Sequence, residues 1–324
     1  MNSLKQSLGL LFGFNPSKPE KSEISEAAAK IHEAHGVRRS KEEMTRIHEA
    51  RHAQSKNKYW LKRRWTVLAL VNLFFVASAA LQINALEGAL TGSRFVGFHL
   101  ADLNSSLQVM LAFKQVLINL LIGTVTVAIM WWLLGGRTFC SWVCPYHLLA
   151  EWAEMLHLKL KAKGLAMDIQ FKRLTRTWLW LIFALLAFIS SYTVFETISP
   201  TGILSRALIY GPGLAMVWVA LILLFEIFFS RRAWCRYACP IGLTYGLVGA
   251  TSPLTVQYHL EDCFHDGACR QVCLVPHVLE VTKRNRATEA HLNIGADCTR
   301  CGRCVEVCPN DSLTYEFKGL GQKK

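Results

Sequence analysis

The chain has 324 residues, 52% of them hydrophobic, with a mean hydropathy of +0.25 and a formal net charge of +13. So apolar a composition excludes a disordered tail or linker protein and implies membrane segments, and the length suits two modest domains. The basic excess does not mark a nucleic-acid binder, because it is concentrated around the apolar runs and disappears over 251–324, where 9 basic residues balance 9 acidic ones.

Residues 1–64 read as a polar, cytoplasmic, helical segment, helical from about Ser22 to Asn57. Ser22-Glu-Ile-Ser25 supplies capping residues and Glu-Ala-Ala-Ala-Lys the helix formers. An Ile-His-Glu-Ala echo begins at Ile31 and again at Ile47, with Gly36 between, which suggests a helical hairpin. His32, His35, His48 and His52 stand at helical spacings that can hold a metal. The plainer reading is a solvated charged face that docks on a partner or a membrane surface.

Residues 65–250 carry four apolar runs near the twenty or so residues that cross a bilayer: Thr66–Leu86, Gln115–Gly135, Trp178–Ile198 and Gly211–Phe229. Residues 1–64 hold 14 Lys and Arg against 7 acids, and 136–177 hold 7 against 3. The segments 87–114 and 199–210 are nearly free of basic excess. This alternation is the positive-inside pattern, and it predicts both termini and the middle loop in the cytoplasm. In the outer loop, His99 and Asp102 lie beside an apolar aromatic stretch at the bilayer edge, where they could take protons from a quinol or serve as ordinary loop residues. Glu196 is a further candidate proton acceptor, whereas Glu226 can simply pair with Arg231 or Arg232.

The second run closes on Arg137-Thr-Phe-Cys140-Ser-Trp-Val-Cys144-Pro145 and the fourth on Arg231-Arg232-Ala-Trp-Cys235-Arg-Tyr-Ala-Cys239-Pro240. Two helices followed by C-x3-C-P, twice over, is an internal repeat. Cys140, Cys144, Cys235 and Cys239 would together present four thiols, to hold a metal or a cluster or to work as redox dithiols.

Residues 251–324 hold the other seven cysteines, on the side where thiols stay reduced and metal binding is the better expectation. Cys298, Cys301, Cys304 and Cys308, with Pro309, follow the C-x2-C-x2-C-x3-C-P spacing of cubane iron–sulfur ligands. Upstream, Cys263, Cys269 and Cys273 repeat that spacing with Asp266 where the second cysteine belongs. In two-cluster proteins the last cysteine of each run serves the other cluster. One cluster is then expected on Cys263, Asp266, Cys269 and Cys308, and the other on Cys298, Cys301, Cys304 and Cys273. A carboxylate is a harder donor than a thiolate, so the first is expected as 4Fe–4S, as a three-iron cluster, or as an Asp-ligated one, unless Asp266 is only a loop residue. Short strands are expected at Leu254–His259 and Ser312–Phe317.

The expected fold is therefore a mainly α membrane protein: four transmembrane helices in two pseudo-repeated pairs, plus a small α+β ferredoxin-like domain with two clusters. The twin C-x3-C-P motifs, the Pro276-His277-Val-Leu tract and the closing Cys298–Pro309 run resemble the NapH-type membrane polyferredoxins, with related arrangements in NosR-type and CcoG-type proteins. That resemblance covers roughly Arg63 to Phe317. It implies a multi-pass protein of the bacterial inner membrane and a quinol dehydrogenase component acting within a complex. Its partners would be membrane lipid, the quinone pool, a periplasmic iron–sulfur protein and a terminal reductase. Asp266 and Leu274, in place of the family's cysteine and proline, and the long N-terminal segment depart from the pattern. The competing readings are a redox maturation factor for a partner metalloenzyme, working through the C-x3-C-P motifs, and a cluster-bearing sensor.

Overall fold

The computed structural model describes residues 4–15, 18–36, 58–81, 86–95 and 98–318, with scattered positions between 42 and 49. The chain divides into two compact units, one formed by residues 1–64, 132–138 and 246–324, the other by 65–131 and 139–245.

The first unit is built on a three-stranded antiparallel sheet. Strand β4 (Leu254–His259) lies in its centre, flanked by β5 (His291–Asn293) and β6 (Leu313–Phe317). Val256 and Tyr258 face the core and pair in register with Tyr315 and Leu313, as period-2 alternation requires. The core also contains Leu260, Leu279, Leu292 and Ile294, and the thiols of Cys263, Cys273, Cys298 and Cys304. Two N-terminal helices belong to this unit. Leu4–Phe12 buries Leu11 against Gly246, and its Ser7 hydroxyl accepts the Ala296 N–H at 2.8 Å. Glu26–Gly36 buries Ala28 in the same core.

The second unit is helical, with one small sheet. Its core runs from Val127 and Trp131 through Phe139, Tyr146 and Phe195 to Ile222, Trp234 and Tyr245. Strands β1 (Leu86–Ala89), β2 (Gly92–Phe95) and β3 (Phe98–Ala101) form an antiparallel meander where the sequence suggests only a loop.

The expectation of four membrane-crossing helices in two pairs is overturned. Among the described residues one helix, Tyr59–Ala80 with 22 residues, is long and apolar enough to cross a membrane. The other apolar helices are shorter: Ile118–Leu134 and Leu174–Ser190 have 17 residues each, Ala215–Phe228 has 14 and Leu103–Phe113 has 11. At about 1.5 Å per residue, even the 17-residue helices fall short of a hydrocarbon core about 30 Å thick. The reason is local. The second run loses its first three residues, its helix starting only at Ile118, and the third breaks where Ser191 adopts φ +54°, leaving Val194–Ile198 as a separate turn of helix. Hydropathy counts residues, and backbone conformation decides how many share one helix.

Candidate iron–sulfur and redox site

The two cysteine runs of the first unit fold into the same loop twice. In each, the residue two positions after the first cysteine is left-handed, His265 at φ +53° and Arg300 at φ +50°. Each gives its N–H to that cysteine's sulfur at 3.4 Å, His265 to Cys263 and Arg300 to Cys298. Left-handed Gly267 and Gly302 follow, each opening a five-residue helix, Ala268–Val272 and Arg303–Val307, that ends at an extended Cys273 or Cys308. The correspondence puts Asp266 in the place of Cys301.

Cys263, Asp266, Cys269 and Cys308 line one small cavity with Tyr258, Thr282 and Pro309. Asp266 is exposed, and one of its oxygens accepts the Ala268 N–H at 3.3 Å. Cys269 stands 3.7 Å from the Thr282 hydroxyl, and Cys308 is 3.0 Å from that of Ser312. Burial, followed by the charges of Cys301 and Cys298, pushes the Cys273 thiol up. Burial, followed by Cys273, Cys298 and Cys301, does the same to Cys304. Cys273, Cys298, Cys301 and Cys304 therefore form the second group. The Cys269 thiol is pushed up to about 11, first by burial. Such thiols are costly to ionise alone, and iron would supply the positive charge that makes thiolates favourable there. The soft donors, the N–H groups aimed at sulfur and the paired loops all fit cubane clusters.

His32 and His35 are engaged in the first unit as well. His32 Nε2 lies 2.9 Å from the Ala287 carbonyl, and His35 Nδ1 lies 3.3 Å from His265 Nε2. His48 and His52 lie outside the described residues.

In the second unit, the C-x3-C-P motifs also form a repeated structure. Cys140 sits in the helical turn Thr138–Trp142, and Cys144 is extended (φ −64°, ψ 117°) before Pro145 opens the helix Pro145–Ala162. Cys235 sits in the wide turn Trp234–Ala238, and Cys239 is extended (φ −72°, ψ 111°) before Pro240. Proline forces that extended conformation on the residue before it, and so turns the second thiol off the helix. Cys144 is buried in the core of this unit, and Cys140, Cys235 and Cys239 pack against the same core. Burial first, then Cys140 and Cys144, push Cys239 up to about 12, and Cys235 is raised by burial and, among its neighbours, by Cys239 and Cys144. Cys144, also raised to about 12 by burial, is 3.2 Å from the Thr201 hydroxyl. This donor set fits a four-thiolate cluster. Among the described residues no group of three or more His, Cys, Asp or Glu side chains is arranged around a single metal ion.

Two of the three candidate proton acceptors come together in the same unit. Asp102 is buried and caps the helix Leu103–Phe113, accepting from the N–H groups of Asn104 at 3.0 Å and Ser105 at 3.1 Å. The Ser105 hydroxyl bridges Asp102 and Glu196, donating a short hydrogen bond to Glu196 Oε1. Burial holds the pKa of both carboxyls above the usual range, and for Glu196 the neighbouring Asp102 adds to the rise against the Ser105 bond. Tyr245, in the same core and stacked on Phe139 at 4.7 Å between ring centres, is raised by burial and then by Asp102, with Cys140 a smaller contributor. Sequence reasoning missed Ser105 and Tyr245; no motif marks either. His99 is elsewhere, exposed on β3 opposite Arg94. Glu226 accepts the Trp234 N–H at 2.9 Å, and Arg232 pairs with Glu154 instead.

A family model described as a 4Fe-4S binding domain matches residues 116–163 and 212–253, covering both C-x3-C-P motifs, and a second of the same description matches 296–314. The "Methylamine utilization ferredoxin-type protein MauN" of Methylorubrum extorquens is 31% identical over 265 residues, 81% of this chain and 90% of that protein. Its namesake in Paracoccus denitrificans is 34% identical over 75% of this chain and 85% of that protein. The chain belongs to the NapH/MauN family of ferredoxin-type proteins. The "Ferredoxin-type protein NapH" of Escherichia coli is 28% identical over 82% of this chain and 93% of that relative. No solved structure matches. As a family member with 4Fe–4S domains in both cysteine-bearing regions, the chain is an iron–sulfur electron-transfer protein.

Proposed function

We propose that this protein works at the membrane, oxidises quinol and passes the electrons towards a periplasmic reductase system. The observation that carries the reading is the gathering of the four C-x3-C-P thiols with Tyr245 and the Asp102–Ser105–Glu196 group in one unit. Quinol oxidation releases two electrons and two protons per molecule, so a site that performs it needs an electron acceptor and a proton acceptor side by side. Iron–sulfur clusters supply one-electron acceptance when bound.

The residues divide the remaining work. Cys140, Cys144, Cys235 and Cys239 would hold the nearby cluster, and the two ferredoxin-type groups would hold the others. Carboxyls with raised proton affinity are better matched to take a proton from a weakly acidic hydroxyl. Ser105 links them, so that a proton taken at Glu196 can be shared with Asp102. Tyr245, Phe139 and Trp131 form an aromatic wall that excludes water. The helix Tyr59–Ala80 and the exposed apolar residues of Ile118–Leu134, such as Ile122, Val125 and Ile129, would meet lipid, where quinol resides.

The test is low-temperature paramagnetic resonance with iron quantitation on the purified full-length protein, before and after adding a quinol. Reduction of the cluster signals by quinol, slowed in E196Q, is the expected result. Clusters that answer only to a chemical reductant would overturn the quinol reading. Loss of a partner's metal content alone in C140S would favour an assembly role. Because the MauN relatives are named for methylamine utilization, an amine-oxidising system should be offered as partner beside a reductase.

A further inference from the structure

The two ferredoxin-type loops share a backbone but not a charge. Where the first carries His265, with Nδ1 2.9 Å from the Thr282 carbonyl, the second carries Arg300, whose side chain is 3% exposed. The guanidinium runs through a slot between two glycines. Its Nε donates to the Leu254 carbonyl at 2.8 Å, Nη2 to that of Gly249 at 3.1 Å, and Nη1 to those of Cys298 at 3.2 Å and Gly135. A Cβ at Gly135 would lie 2.2 Å from Arg300 Cδ, so the slot admits this side chain only because no side chain stands there. Backbone carbonyls accept from these donors, and a guanidinium does not give up its proton. Arg137, another buried arginine of this unit, is paired with Asp297. In the first loop the position of Arg300 is held by His265, and the Asp266 carboxylate stands one residue on, in the place of Cys301.

We infer that Arg300 is a tuning residue that raises the reduction potential of the iron–sulfur site formed by Cys298, Cys301, Cys304 and Cys273. Reduction adds one negative charge to a buried site, and a fixed cation a few ångströms away in a weakly polarisable interior stabilises the reduced form more than the oxidised one. No bond forms or breaks. One electron arrives from the donor upstream, and Arg300 keeps its proton and its position throughout. The inference rests on the two-cluster reading of the C-terminal region and goes beyond it by assigning what separates the two sites.

The experiment is a redox titration followed by paramagnetic resonance on the full-length protein, with iron quantitation and with C301S to identify the signal of this site. R300M is expected to keep its iron and both signals while the midpoint of this signal moves to lower potential, with the other signal unmoved. R300K, which restores the charge, is expected to return the midpoint towards wild type. If R300M fails to assemble, R300Q keeps an amide donor for the carbonyls without the charge, and the same fall is expected. A midpoint unchanged in an iron-loaded R300M or R300Q, or lowered equally in R300K, overturns the inference alone. A wild-type protein with only one ferredoxin-type signal overturns the two-cluster reading and the inference with it.

Discussion

Replacing Gly135 by alanine is a direct test of how the Arg300 slot is built. Gly135 sits at φ +109°, outside the regions open to residues with a side chain, and an L-residue there costs on the order of 1–3 kcal/mol. The added methyl would also lie 2.2 Å from Arg300 Cδ, 2.6 Å from Arg300 Nε and 2.8 Å from the Thr138 hydroxyl. Overpacking of that kind adds roughly 1–3 kcal/mol. The smaller entropy of the unfolded alanine chain returns about 0.4–1 kcal/mol. The expected net loss is roughly 1–5 kcal/mol, a sizeable part of the 5–15 kcal/mol or so of a typical native state. Gly164 is the control: it is also left-handed, at φ +74°, but nothing lies within 4 Å of its would-be Cβ, so G164A reports the backbone cost alone, about 1–2 kcal/mol. Thermal unfolding of the purified protein, read by circular dichroism and by bleaching of cluster absorbance, measures both. G135A should unfold at a distinctly lower temperature than G164A and lose its clusters earlier. Equal shifts would refute the slot.

D266C gives the first cavity four thiols, and any three-iron signal should convert to a four-iron one with a matching rise in iron content; no change would show that Asp266 does not face a cluster. Glu196 has a raised pKa, so its contribution to stability is present at low pH and lost as pH rises through that pKa. E196Q should flatten the fall in melting temperature from acid to neutral pH, and an unchanged slope would refute the burial assigned to it. R137M takes the guanidinium from Asp297, 1% exposed, and leaves it His277, so the loss should stay below the roughly 3–5 kcal/mol of a fully stranded buried charge; equal melting temperatures for R137M and wild type would refute the pair.

The parts of the fold that were legible in the sequence are those whose signal is local. Cysteine spacing and the strands around Val256 and Tyr315 are of this kind, because two- and three-residue periods follow from backbone geometry within one loop or strand. What escaped depends on longer-range or conformational facts. The apolar runs looked long enough to span a bilayer, but a left-handed turn at Ser191 cuts the third helix short, and no hydropathy sum contains a φ angle. The meander of β1, β2 and β3 lies in a glycine-containing stretch that reads as a loop. The joining of Asp102 to Glu196 by Ser105 spans 91 residues of sequence from Ser105 to Glu196. Asp102 itself carried a double signal: its place before Leu103-Asn-Ser is that of a helix cap, and the cap is what fixes the carboxyl for its second partner.

Arg300 shows where such reasoning stops. Its position between two cysteines is visible in the sequence, but an arginine there would ordinarily be read as a solvated loop cation. Its burial follows from Gly135 and Gly249, 165 and 51 residues away, which leave the space and the carbonyls. A buried guanidinium held by carbonyls is expensive to maintain for stability alone, since an apolar side chain of similar volume would avoid the desolvation of a full charge. Its placement beside the Cys298 loop is better accounted for by the charge it sets against sulfur-bound iron. The contrast with the sister loop then becomes one statement about electrostatics: two sites with one backbone, made unequal by Arg300 in the place of His265 and by Asp266 in the place of Cys301.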